Sequence, residues 1–202
     1  LLRSTSWAPP TKTCKGDGSL YRFWLGEPTK CYVEGVRAFS EAFAQEVRSA
    51  YDAVLASAGG YPVDAYLASS VDALAMSADL VEGGGKTLLF IAECGSGIGS
   101  EAFALALQKC PTYRELREWA ARKPLISVSQ ALLARAVSEK VGGVMVTAAP
   151  KTYVEDMLGF LHADTLREGA EVINLARKKR VCVLRNASLV RRWRAAQSKA
   201  KA

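Results

Sequence analysis

The sequence has little that performs chemistry unaided. Its only histidine is His162, between Leu161 and Ala163 in a loop-like stretch, so no Ser–His–Asp or Cys–His pair is evident. A lone histidine there reads as a surface or capping residue. The five cysteines, Cys14, Cys31, Cys94, Cys110 and Cys182, are odd in number, and none forms a C-x-x-C pair. One histidine with scattered cysteines does not make a metal site, which needs several converging ligands. Cys94 and Cys182 lie in or beside apolar runs and read as small hydrophobes, so a reducing cytoplasm is expected. No run approaches the ~18–20 apolar residues of a membrane span, and a membrane role is not expected. The opening residues lack both a signal peptide's zones and an initiator Met, so the expectation is a chain cut from something longer.

Half of the 202 residues are hydrophobic, enough for the core of a single domain. The net charge of +7 is unevenly spread. Ten of the 27 basic residues follow Glu171, the last acid, which leaves 17 positive against 20 negative charges in residues 1–171. The basicity belongs to the end of the chain. A lone basic terminus is usually just solvated, and no aromatics interleave with these charges to stack bases, so nucleic-acid binding ranks last.

Residues 12–26 read as a hairpin turned at Asp17-Gly18. Val36, Phe39, Phe43 and Val47 then recur at helical spacing over residues 33–49. A strand–helix alternation follows. Strands are expected at 51–56, 87–92, 143–147 and 180–185. Helices are expected at 64–81 with Asp64 as N-cap, after the glycine-rich loop at 100, from Pro111 to about Arg122, at 127–140, 153–161 and 164–179. Gly83-Gly84-Gly85 ends the helix before the second strand. Apolar strands separated by helices imply an α/β fold, with a mostly parallel sheet covered by helices on both faces and preceded by the hairpin. The expected layout is one domain over 1–186 and a basic tail over 187–202.

Two glycine-containing strings invite a phosphate-binding reading. Gly85-Lys86-Thr87 ends like G-x-x-x-x-G-K-[ST], but residue 80 is Leu80 and the string runs helix to strand, so it is rejected. Gly95-Ser96-Gly97-Ile98-Gly99-Ser100 follows a strand and opens a helix, the right context for backbone N–H groups to cradle an anion. Ser100 stands where G-x-G-x-x-G wants its third glycine, which weakens the dinucleotide reading. Among carboxylates near strand ends, Glu93 is notable as a charge needing partners, while Glu101 suits the first turn of the next helix.

The string Ala58-Gly59-Gly60-Tyr61-Pro62-Val63-Asp64, followed after the next strand by Glu93-Cys94-Gly95-Ser96-Gly97-Ile98-Gly99, resembles the C-terminal domain of the lactate racemase family. The early hairpin ending in Leu25-Gly26, the helix with Leu133-Ala134-Arg135 and the closing Arg180-Val-Cys-Val-Leu strand are similar in order, over roughly residues 11–186. The resemblance implies an isomerase that uses a nickel-pincer nucleotide. An upstream domain would hold the lysine that attaches the cofactor, the nickel histidine and the two proton-moving histidines. No cofactor is expected on this chain alone, and the nickel-pincer nucleotide would belong to the full-length protein. The implied partners are that N-terminal catalytic domain and a small hydroxyacid or sugar-like substrate.

The resemblance also puts a Tyr-Gln pair, a lysine and a tryptophan at the substrate. Here those positions hold Ala68, Ser69, Asp72 and about Val128. Asp72 would repel the carboxylate that a lysine would hold, so lactate is not the expected substrate. The candidates to face a substrate or cofactor are Gly59, Gly60, Tyr61 and Asp64 in the first loop, Ser69 and Asp72 on the helix, and Glu93, Gly95, Ser96, Gly97 and Gly99 in the second loop. The competing expectation is a non-catalytic module binding a small anion or a protein partner. A polar cluster of Ser69, Asp72 and Glu93 would favour the enzyme, and their dispersal into solvent would favour the module.

Overall fold

The structure, a computed structural model, describes residues 11–14, 20–46, 51–81, 86–122, 124–189 and 191–193. It divides into two compact units. One is built from the chain up to Glu46 and again from Leu189, and the other spans residues 47–188. The Asp17-Gly18 turn, the Gly83–Gly85 break and the basic tail past Trp193 lie outside the described residues. Among the described residues no helix is long and apolar enough to cross a membrane.

In the smaller unit β1 (Thr11–Cys14) pairs antiparallel with β2 (Leu20–Trp24), as the hairpin reading expects. Helix α1 (Pro28–Phe43) begins five residues earlier than the apolar spacing suggests. Pro28 supplies a preset φ at its start, and the Glu27 carboxylate accepts the Thr29 and Lys30 N–H groups at 2.9 and 2.8 Å. Those two bonds hold the Glu27 carboxyl below its usual range. The helix stops at Phe43, where β3 (Ala44–Glu46) pairs parallel with β9 (Arg191–Trp193). Part of the expected basic tail is therefore a strand.

The larger unit is a five-stranded, all-parallel sheet of β4 (Ala53–Ser57), β5 (Lys86–Ile91), β6 (Gly142–Val146), β7 (Leu161–Ala163) and β8 (Val181–Leu184), ordered β7-β6-β5-β4-β8. Crossovers between parallel strands are right-handed. From β4 to β7 the chain steps one way across the sheet, so α2 (Leu67–Ala78), α3 (Glu101–Lys109), α4 (Tyr113–Arg122) and α5 (Ile126–Lys140) fall on one side. The return to β8 steps the other way, so α6 (Leu166–Val172) falls on the opposite side. Alternation along each strand serves both layers. Val54, Ala56, Leu88, Phe90 and Met145 pack into the core under the main helical layer. Ala53, Leu89 and Val144 pack with Ile173 and Ala170 under α6. One short helix cannot span the second face, and Val183 on β8 stays 61% exposed.

Several element boundaries depart from the pattern-based reading. Asp64 is not the N-cap of α2. That position is Tyr66, and Ser69 takes the reciprocal role, accepting the Tyr66 N–H at 3.2 Å and donating to the Tyr66 carbonyl at 2.8 Å. The expected helix over 153–161 is a π-helical turn, Tyr153–Leu158, closed by Gly159 at φ 82°. His162 lies in β7 rather than in a loop. The expected helix over 164–179 is broken at Asn174, whose φ of 51° ends it and leaves a 3-10 turn, Leu175–Arg177.

Leu89→Ala should cost roughly 2–5 kcal/mol, the usual penalty for a cavity under a packed helix, whereas Val183→Thr should stay within about 0.5 kcal/mol. Equal shifts of the urea midpoint for the two variants would contradict the uneven cover on the second face.

Candidate functional site

The loops that follow β4 and β5 come together at the carboxyl edge of the sheet. Their contact is almost wholly backbone to backbone. The Cys94 N–H donates to the Asp64 carbonyl at 2.7 Å and the Ser96 N–H to the Ala65 carbonyl at 3.0 Å. In return the N–H groups of Leu67 and Ala68, the first two of α2, donate to the carbonyls of Gly97 and Ile98 at 3.0 and 3.1 Å. A helix start ordinarily leaves such donors open. Here the glycine-rich loop occupies them, so α2 does not offer them to an anion.

That loop also closes on itself, the Gly97 N–H donating to the Cys94 carbonyl at 3.0 Å. Ser100, where a dinucleotide fingerprint would want glycine, is the N-cap of α3 and accepts the Phe103 N–H at 3.1 Å. Glu101 sits in the first turn of α3, as the dipole argument expects. Gly99 has φ 105°, and a β-carbon there would come within 2.8 Å of the Ala68 β-carbon. Only glycine lets the loop lie this close to α2.

The candidate side chains are placed unevenly. Asp64 is 8% exposed, and its carboxylate accepts the Glu93 N–H in a long contact of 3.4 Å. Glu93, read from the sequence as a charge needing partners, is exposed and needs none. Its carbonyl accepts the Ala148 N–H and the Thr147 hydroxyl, both at 2.9 Å, which ties in the loop after β6. Tyr61 is 87% exposed, beside Gly59 and Gly60. Gly95 and Ser96 are exposed, and Gly97 is half-buried. Ser69 spends its hydroxyl on Tyr66, and Asp72 is exposed on α2. No hydrogen bond or ion pair links Ser69, Asp72 and Glu93 among the described residues.

Cys94 sits at the hinge of the second loop, with φ 50° and a fully buried thiol 3.9 Å from the Ser70 hydroxyl. Burial pushes this thiol up, the Asp64 and Glu93 charges add to the push, and hydrogen bonds to Ser70 and Thr147 oppose it. It is therefore a neutral packing group rather than a nucleophile.

Sequence reasoning missed the residues on the far side of β4. The strand order reverses between β4 and β8, and open α/β sheets hold ligands at such a reversal, outside the carboxyl ends of the strands. There Gly59, at φ 118°, lies against Asn186 from the loop after β8, so closely that any β-carbon would overlap the Asn186 carboxamide. Ser188 donates its hydroxyl to Asn186 Oδ1 at 2.6 Å. No signal in the sequence marks Asn186, because its place follows from strand order alone.

A metal would need converging ligands, and no group of three or more His, Cys, Asp or Glu residues is placed to hold one among the described residues. His162 is half-buried on β7, its imidazole 4.0 Å from the Asp164 carboxylate, and its backbone N–H donates to the Glu155 carboxylate at 3.1 Å. The described residues do not fit a nickel-nucleotide centre.

This is an open parallel α/β domain with two fastened loops at the carboxyl edge of its sheet. Residues 46–188 match the lactate racemase C-terminal domain model, and the chain belongs to that family. It is similar in structure to the lactate racemase apoprotein from Thermoanaerobacterium thermosaccharolyticum, with a TM-score of 0.77 at 20% identity over 91% of this chain. The chain spans 45% of that protein's length. A Thermotoga maritima protein is similar more distantly, with a TM-score of 0.50 at 10% identity, over 82% of this chain and 42% of that one. No curated protein matches in sequence.

Gly99→Ala should destabilise the domain by about 1–3 kcal/mol through strain and the collision with Ala68. Gly97→Ala, with open space around its β-carbon, should cost clearly less, and chemical denaturation of both variants checks the order. For Cys94 the folded pKa lies above the unfolded one. Its contribution to stability is thus complete below the ordinary thiol range and lost as pH rises through the raised value. Denaturation midpoints between pH 7 and about 10.5 should fall less steeply for Cys94→Ala than for the parent. Cys110 and Cys182, raised by burial as well, would sustain part of the slope.

Proposed function

We propose that this domain is the substrate-side half of a racemase- or epimerase-type isomerase acting on a hydroxyacid or sugar-like compound other than lactate. The observation that carries this reading is the pair of fastened loops at the carboxyl edge of the sheet, in a chain that belongs to the lactate racemase C-terminal domain family. The loops carrying Gly59, Gly60, Tyr61 and Asp64, and Glu93, Gly95, Ser96, Gly97 and Gly99, would form one wall of the cleft. Their role is to shape the site and exclude water. Acid–base groups and any nickel-pincer nucleotide belong to an upstream N-terminal domain, on the same or a separate chain. The group would supply a hydride acceptor when bound, and this chain would position the hydroxyl-bearing carbon. A cytoplasmic setting suits four free cysteines among the described residues.

One observation favours a second reading. Ser69 spends its hydroxyl on Tyr66 and shares no hydrogen bond with Asp72 or Glu93 among the described residues, which suits a module that binds a small anion or a protein partner without catalysis.

The test is the full-length protein, assayed with single enantiomers of short hydroxyacids and sugar acids by chiral chromatography. Conversion of a substrate other than lactate supports the isomerase, and inertness toward the whole panel turns the reading to the binding module. Within the isomerase reading, Asp72→Lys should raise affinity for L-lactate by roughly tenfold, because a cation replaces an anion facing the carboxylate. Unchanged lactate affinity in that variant would place Asp72 away from the substrate.

A further inference from the structure

Arg135, in the middle of α5, is 9% exposed and has no carboxylate within ion-pairing distance among the described residues. Its Nη2 donates to the Leu107 carbonyl at 3.1 Å and to the Met157 carbonyl at 3.0 Å, bridging the end of α3 and the π-helical turn. Its Nε is buried and finds no partner among the described residues. The acid one turn along, Glu139, commits its carboxylate to the Tyr113 N–H at 2.6 Å. Burial draws the guanidinium below its usual range, and Glu139 offsets this only in part. A cation this deep without a counter-charge is costly, and proteins normally pair it.

Arg135 also lines a cleft of about 380 Å³ together with Gln108, Thr152 and Asp156. That volume lies at the small end of the range for ligand sites, roughly 300–1,000 Å³. We propose that this cleft binds a small monocarboxylic acid bearing a hydroxyl or ammonium group, with Arg135 taking the carboxylate and Asp156 accepting from the donor. Gln108 and Thr152 can serve either end, since an amide and a hydroxyl both donate and accept. Asp156 is what narrows the class, because its charge opposes phosphate and dicarboxylates and rewards a ligand that brings a donor. The site lies at the opposite end of α3 from the glycine-rich loop, so it is separate from the strand-edge site and stands whether or not the isomerase reading holds.

The test titrates the isotope-labelled full chain with L-lactate, glycine, acetate and inorganic phosphate, following backbone amide shifts. L-lactate or glycine should move the amides of Gln108, Thr152 and Met157 saturably, at least about tenfold more tightly than acetate or phosphate. Arg135→Lys, which keeps the charge but loses the planar fork, should weaken that binding about tenfold or more. Asp156 is exposed, so Asp156→Asn keeps the fold and should bring phosphate and acetate level with lactate. The proposal is overturned if none of the four ligands moves those amides saturably. It is equally overturned if phosphate binds the parent as tightly as lactate and glycine, or if Asp156→Asn leaves the preference unchanged.

Discussion

The handedness of the crossovers is the constraint on which the rest of the domain depends. Once β4, β5, β6 and β7 are laid side by side in chain order, right-handed connections commit α2 through α5 to one face. The return to β8 commits α6 to the other. The same reversal brings the loops after β4 and β8 side by side, where Gly59 lies against Asn186. The position of the candidate site is thus a result of strand order, and its side chains are secondary.

The backbone hydrogen bonds between the two loops act on that frame. They spend the first donors of α2 on the carbonyls of Gly97 and Ile98, which joins the end of β5 to the start of the helix after β4. The carbonyl of Glu93 then reaches across to Ala148 and Thr147, so three successive strand ends share one hydrogen-bonded rim. Buried Asp64 and the neutral thiol of Cys94 sit just beneath it. Most of the hydrogen bonds at this rim join main-chain atoms.

Much of this architecture was legible from residue patterns, for identifiable reasons. The strand–helix alternation showed because buried parallel strands such as 87–92 are continuous apolar runs that no surface loop would carry. Glu101 marked the first turn of α3 through ordinary dipole chemistry, whereas the capping role of Ser100 appeared only in the structure. What stayed hidden was set by partners distant in sequence. Asp64 looked like an N-cap because the true start, Tyr66, is capped by Ser69 and by carbonyls some thirty residues on. The Thr165–Glu168 pair, in which Thr165 accepts the Glu168 N–H, was a readable start for α6, and Asn174 was a readable stop. The order of the strands, and with it Asn186, could not be read locally. The three-residue β7 around His162 was too short to show a period.

A rim fastened by peptide groups has a consequence for how such a domain changes over time. Side chains at positions such as Asp72 and Tyr61 contribute little to the shape of the rim, so substitution there is close to neutral for folding. Drift, or selection for a new ligand, can replace them without first dismantling the scaffold. Gly99 is the exception: with its α-carbon against Ala68, the pair must change together or not at all. Descendants of this chain should therefore vary freely in what the rim displays while inheriting that one contact unchanged.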